Sequence, residues 1–462
     1  MAEQSTTPID RPAQRVSLRA FLALAIPALG VLVAEPLYLL LDVAVVGRLG
    51  AEALAGLALG ALVLGLVSTQ LTFLSYGTTA RAARYYGAGR PADAVREGVQ
   101  ATWLAVAVGT VLAAAVFVFA DPVLRLVAGD DAIAATARDW LLIAICGTPL
   151  ILITLAGNGW MRGMQDTRTP LRCVLAGLIV SAPACPALVY GWLGLPEMGL
   201  AGSAVANLGG QAVAATLFLI VLVRAGRAHG VPWTPAGRII VRQLVLARDL
   251  VLRSLGFQAC FLSAAAVAAR FGAPALAAHQ VVLQLWNLIT LTLDSLAIAA
   301  QALIGAALGG ARTAAARALA WRITRWSLLV SGVLAAVLAA GATVLPGVFT
   351  GDGAVLAEIG SIWPLLVLLV PLGGVAFALD GVLLGAGDTA FLRTATLASA
   401  LLGFLPLIWA ALVWDWGLVG IWWGLVLFLV LRVAAVCWRT AGGRWAVPGT
   451  VTVTGAGAGE EE

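Results

Sequence analysis

Lysine is missing from this chain altogether, so its 28 basic side chains are all arginine. That absence reads as the codon bias of a GC-rich genome rather than as a function. Charge of either sign is scarce. Acidic and basic residues make up 11% of the 462 positions, against about a quarter in soluble domains. Histidine is nearly absent, and His229 and His279 have no companions at metal-ligand spacing, so neither a metal nor a cofactor is assigned. The five cysteines (Cys146, Cys173, Cys185, Cys260 and Cys437) are scattered, odd in number and mostly inside apolar runs. That pattern excludes a disulfide framework or a zinc motif. The polar N-terminus lacks the apolar stretch and small-residue cleavage site of a signal peptide, so the first apolar segment is expected to stay in the mature protein. Although the formal net charge is +5, the arginines flank apolar segments instead of forming a polar face, which argues against nucleic acid as a partner.

What the chain does have is apolar length: 61% of its residues are hydrophobic. A bilayer core needs about 20 apolar residues per helix. Twelve such stretches begin near Phe21, Ala53, Val99, Asp139, Arg172, Leu200, Asp249, Ala277, Trp326, Glu358, Arg393 and Leu418. Runs of this length are helices rather than barrel strands. The fold class is therefore an all-α polytopic membrane protein with twelve transmembrane helices. Arginines gather in the even-numbered connections, for example Arg81, Arg84, Arg90 and Arg96, whereas the odd connections carry acids such as Asp130, Asp131 and Asp352. By the positive-inside rule both termini are cytoplasmic, with Arg11, Arg15 and Arg19 ahead of the first helix and Arg439 and Arg444 after the last.

An internal repeat organises these spans. Arg162-Gly-Met-Gln-Asp-Thr-Arg168 returns as Leu384-Gly-Ala-Gly-Asp-Thr-Ala390, an offset of 222 (385 minus 163). The same offset places Arg48-Leu-Gly-Ala-Glu-Ala-Leu54 on Arg270-Phe-Gly-Ala-Pro-Ala-Leu276, and Gly87 on Gly309. Six spans per half is an even number, so the halves share one topology and form two six-helix lobes related by a parallel repeat. Residues 1–228 are expected to form the N-terminal lobe, 229–248 a cytoplasmic linker broken by Pro232, Pro235 and Gly237, 249–445 the C-terminal lobe, and 446–462 a disordered cytoplasmic tail.

Acids at membrane depth are costly and point to function. Glu35 and Asp42 lie seven apart on one face of the first helix, about 10 Å apart along its axis. Pro27 and Pro36 interrupt the same helix and are candidate hinges. The bland reading is that these acids only satisfy freed amides or a buried arginine. Asp294 and Gln301 repeat the seven-residue spacing on the eighth helix and, with Asp380 and Asn158, are expected as polar groups of a cavity. Asp380 falls on Asn158 in the repeat (380 minus 222), so that position calls for a polar group more than for a charge. Gly385-Ala-Gly-Asp388 matches the Gly-x-Gly-Asp of intramembrane aspartyl proteases, which pair two acids. Its copy, Gly163-Met-Gln-Asp166, has no matching second acid, and a helix-terminating turn accounts for both. Trp409, Trp414, Trp416, Trp422 and Trp423 crowd one outer loop as an interfacial belt.

The run Leu24-Ala-Ile-Pro27, then Pro36-Leu-Tyr38 and Asp42-Val-Ala-Val-Val-Gly-Arg-Leu-Gly50 resembles the first helix of multidrug and toxin extrusion (MATE) transporters, especially their DinF-like branch. Arg162–Pro170, Leu293–Gln301 and Leu379–Gly385 extend the resemblance in the family's order and spacing over nearly the whole chain. The resemblance implies two lobes rocking around a central cavity and exporting organic cations or amphipaths in exchange for protons or sodium, with the protein a monomer in a bacterial inner membrane. It also implies that Asp42 is the ion-coupling acid of the N-lobe, with Ser181 and Cys185 at the family's fifth-helix positions and Asn207 on the sixth. Cys185 replaces an acid, and Gln301 replaces a glutamate of the DinF-like pattern. The first change favours the proton over sodium; the second weakens coupling in the C-lobe. A lipid-linked precursor flippase of the same superfamily is the alternative, disfavoured because the charges read at mid-membrane are acidic. An intramembrane hydrolase lacks paired catalytic groups, so no enzymatic activity is expected.

Overall fold

The computed structural model describes residues 16–450, apart from the side chains of 66–70 and 193. Its helices are α1 (Leu18–Leu49), α2 in two segments (Ala51–Leu71 and Phe73–Gly87), α3 (Pro91–Ala128), α4 (Asp131–Gly163), α5 (Arg168–Tyr190) and α6 (Leu200–Ala228) in the first half. The second half holds α7 (Gly237–Arg270), α8 (Ala273–Gly309), α9 (Thr313–Ala340), α10 (Gly353–Ala386), α11 (Thr389–Val413) and α12 (Gly417–Gly442). Eleven are long and apolar enough to cross a membrane, and α2, divided at Thr72, supplies the twelfth span. Val111, Val118, Ile179 and Leu402 are 68 to 72% exposed on the outer faces of the bundle. Such a surface fits lipid and not water, and helices meet the requirement that every backbone group in lipid be bonded internally.

Local chemistry repeats along with the sequence. Asp130 and Asp352, 222 apart, cap α4 and α10, accepting from the N–H of Ala132 at 2.7 Å and of Ala354 at 2.8 Å. At the other ends of these helices Gln165 and Gly387 take positive φ of 62° and 72°. The Asp166 N–H then donates to the Met161 carbonyl and the Asp388 N–H to that of Leu383, both at 2.9 Å. These are Schellman turns, and they account for both Gly-Asp copies as helix ends.

The halves meet along α2 and α8, with α1 against α8 and α7 against α2 completing a quasi-twofold arrangement. A Cβ on Gly87 would run into the backbone of Ala306, and one on Gly309 into that of Arg84. Arg84 and Ala306 are themselves repeat partners (306 minus 84 is 222), so the two close approaches are one contact made twice. A core shared by both halves, including Phe21, Leu74, Leu303 and Leu383, lies toward this arginine-rich end. Toward the acid-rich end the second half packs around Trp363 and Phe404, and the first around Trp140 and Leu57, in separate clusters.

Two stretches depart from expectation. Helix α7 starts at Gly237, so only 229–236 of the expected linker is non-helical. That loop is tied to α3 by Gln100, which donates to the Thr234 carbonyl at 3.0 Å and accepts from the Ala236 N–H at 2.6 Å. Residues 446–450 belong to an ordered strap rather than a disordered tail. Trp445 beside them is fully buried, and Arg84 donates to the carbonyls of Val447 at 3.0 Å and Gly449 at 2.9 Å. Residues 451–462, like Arg11 and Arg15, lie outside the described residues. The tryptophan belt loses one member, because Trp422 is buried edge-on to His279 while Trp409, Trp414, Trp416 and Trp423 stay exposed.

Candidate functional site

A cavity of about 310 Å³ opens among α1, α2, α4, α5 and α6 of the first half. Four of the residues singled out by sequence converge on its wall: Glu35, Asn158, Ser181 and Asn207. The cavity exists where α5 and α6 touch backbone to backbone, since a Cβ on Gly177 would stand 2.6 Å from the Gly210 carbonyl oxygen. That close approach leaves the neighbouring side chains to face inward.

Asp42 is not on this wall. It is buried one helical turn beyond Tyr38, where the Cys185 thiol donates to its Oδ1 at 3.5 Å and Ser203 is a further hydrogen-bonding neighbour. Ser203 in turn accepts from the Trp140 indole at 3.1 Å. Tyr38 lines the cavity and is 7% exposed, so its ring stands between the open space and the enclosed carboxyl. Sequence reasoning passed over Tyr38, although 35, 38 and 42 follow the three-and-four spacing that puts all three on one helical face. Pro27 and Pro36 lie within α1, which is helical through both.

The eighth-helix pair faces the lobe boundary instead. Tyr76 of α2 donates its hydroxyl to Asp294 Oδ2 at 2.7 Å, and Gln301 Nε2 donates to the Tyr76 carbonyl at 2.6 Å. Asp380 forms a buried cluster with arginines on α7 and α12. Arg253 donates to its Oδ2 at 2.6 Å, and Arg432 pairs with the same oxygen. Asp380 is thus a paired carboxylate and is not on the wall of the first-half cavity.

These pairings correct the expectation that charge inside the bundle is acidic. Arg162, Arg253 and Arg432 all point inward, Arg162 being 5% and Arg432 2% exposed. The reason is directional: helix side chains lean toward their own N-terminus. Arg162, one residue before the end of α4, therefore reaches back into the cavity, where it touches Ser75 Oγ at 3.4 Å. Counting arginines near helix ends could not separate it from a loop residue.

The second half differs at matching places. In α6 and α12 the pattern Gly199-Leu-Ala-Gly202 meets Gly417-Leu-Val-Gly420, an offset of 218 (417 minus 199). With it Ala214 corresponds to Arg432, while the offset of 222 places the cavity positions Val31, Glu35 and Asn158 on Arg253, Phe257 and Asp380.

Comparison with known proteins agrees with the duplicated bundle. The MatE family pattern matches residues 27–187 and again 250–409. The chain is 30% identical over 433 residues to DNA damage-inducible protein F of Escherichia coli (strain K12), covering 91% of this chain and 92% of that protein. It is 29% identical to Protein DETOXIFICATION 44, chloroplastic, of Arabidopsis thaliana, over 92% of this chain and 82% of that one. In fold it is similar to a multidrug resistance MATE family transporter of the MOP superfamily solved in an outward-facing conformation. That match has a TM-score of 0.80 and 20% identity, covering 92% of this chain and 96% of the other.

Proposed function

The chain belongs to the MatE family of multidrug and toxin transporters, and from that premise we propose that it exports small amphipathic organic molecules bearing positive charge, in exchange for protons. Residues 16–228 act as one lobe and 237–445 as the other, rocking about the α2–α8 contact with the arginine-rich end toward the cytoplasm. The observation that carries this reading is the single face of α1 that places Glu35 on the cavity wall and Asp42 behind Tyr38. Glu35 receives the positive end of the substrate. Asp42 holds the proton. Burying a charge without a counter-charge is costly, so loss of that proton is tied to opening of the enclosure or arrival of a cation. Proton and substrate then each favour release of the other, and linkage makes this competition reciprocal. The donor set supports the proton over sodium: beside Asp42 stand a thiol and a hydroxyl, whereas hard cations take several oxygens.

The test is uptake of a cationic dye into everted membrane vesicles with a proton or a sodium gradient imposed in turn. Uptake driven by the proton gradient and lost in Asp42→Asn is expected. Uptake that survives a protonophore and follows sodium would overturn the coupling.

A further inference from the structure

Arg162 has no task in that scheme. An arginine inside a pocket for cations is an obstacle unless something negative meets it. Its Nε is buried without a hydrogen-bond partner, and so is the Oδ1 of Asn158, one turn earlier on the same face of α4. Among the described residues Arg162 makes no ion pair. Asp294, across the lobe boundary, is near enough to act on Arg162 electrostatically but makes no direct pair with it, its Oδ2 accepting from the Tyr76 hydroxyl at 2.7 Å, and Asp380 is held by Arg253 and Arg432. Glu35, the acid on the cavity wall, approaches from α1. One small cavity thus presents a carboxylate from α1 and an under-bonded guanidinium with an amide from α4.

We infer that the cavity selects zwitterionic amphipaths, taking a carboxylate or similar oxyanion on Arg162 while the positive end of the same molecule meets Glu35 and an N–H it carries donates to the unpaired Oδ1 of Asn158. The guanidinium fork is suited to two parallel bonds to a planar oxyanion, and a buried donor left unbonded is costly. A ligand that supplies the missing acceptor therefore gains affinity, whereas a purely cationic ligand leaves the Arg162 Nε–H unbonded and adds a second positive charge beside it. The inference rests on the exporter reading and narrows its substrate.

A matched pair of probes separates the two ideas: rhodamine 6G, a cationic ethyl ester, and rhodamine 19, its zwitterionic free acid. Binding of each to the purified full-length protein is measured by fluorescence anisotropy, and movement of each in proteoliposomes. The acid is expected to bind about ten- to a hundredfold more tightly, the worth of a bond to a charged group. Arg162→Gln should erase that preference by weakening the acid alone, and Arg162→Lys should keep part of it. If Arg162→Gln does not fold, the wild-type ratio and the lysine variant still decide. Equal binding of ester and acid by the wild type, or equal weakening of both by Arg162→Gln, overturns the inference and leaves the exporter standing. Failure to bind or move either dye overturns both.

Discussion

The two halves share one backbone plan, yet positions that line a cavity in the first carry packed arginine, aspartate and phenylalanine side chains in the second. Val31, Glu35, Asn158 and Ala214 face open space in the first half. At the corresponding places Arg253 and Arg432 converge on Asp380, and both guanidiniums lie over the Phe257 ring, 5.7 and 5.0 Å from its centroid. Duplication supplied the scaffold, and residue size and charge distinguish the copies at these positions. Arginine at two wall positions needs a counter-charge, which Asp380 provides where the first half has the neutral Asn158. The enclosed acid follows the same division, because the repeat partner of Asp42 is the buried Ala264 (264 minus 42 is 222). On the proposed exporter reading, binding and coupling are therefore assigned to the first half.

The largest expected effect breaks the comparison at Asp42. Asp42→Asn keeps the shape but cannot exchange a proton, so proton-driven dye uptake in everted vesicles should fall to background while the protein still inserts and folds. Wild-type-like, pH-dependent uptake would place coupling elsewhere, with Glu35→Gln the next variant to measure.

Asp380→Asn attacks the second half. It strips the buried Arg432 and the half-buried Arg253 of their shared counter-charge, and breaking a buried pair from one side costs about 3–5 kcal/mol. A lowered apparent melting temperature is expected, with the protein that remains folded retaining its pH dependence. A loss of pH dependence without loss of stability would show that the second half also couples.

Gly87→Ala and Gly309→Ala sharpen the comparison where the halves are alike. Each Cβ would meet facing backbone in the same quasi-twofold contact, and overpacking of this kind costs about 1–3 kcal/mol. The two variants should lose similar stability and similarly expose the arginine-rich end to thiol labelling at an introduced cysteine. Markedly unequal losses would mean that the contact is not shared evenly.

Much of this was legible from sequence, for identifiable reasons. Apolar length gave the spans, and short motifs recurring at an offset of 222 gave the repeat, because both are read from contiguous stretches of sequence. Glu35, Ser181 and Asn207 line one cavity, but with Asn158 rather than with Asp42, because a sequence names polar positions without showing which ones packing brings together. Arg162 was hidden because a helix-end arginine can snorkel either way, and only packing decides which; Arg253 and Arg432 lie well inside α7 and α12, and their pairing with Asp380 is a contact between distant parts of the chain. The strap at 446–450 was hidden for a related reason: its partner Arg84 is 363 residues from Val447. Loop length concealed the matching of Arg432 with Ala214, since the offset changes to 218 only after the fifth span of each half.

The smallest expected effect concerns the screen between cavity and acid. Tyr38 corresponds to Cys260 in the second half (260 minus 38 is 222), a small side chain where Ala264 leaves no carboxyl to screen. If the ring of Tyr38 matters as a barrier, Tyr38→Phe should change export by less than about threefold, since a hydroxyl bond contributes only about 1 kcal/mol net. Tyr38→Ala should instead open Asp42 to the cavity. Modification of Asp42 by a water-soluble carbodiimide measures this directly: slow in wild type and Tyr38→Phe, fast in Tyr38→Ala. Fast modification in Tyr38→Phe would assign the barrier to the hydroxyl and its neighbours Cys185 and Asp42. In that case the phenol would be part of the proton path, and the contrast between the halves would lie in a hydrogen-bonded relay rather than in a steric gate.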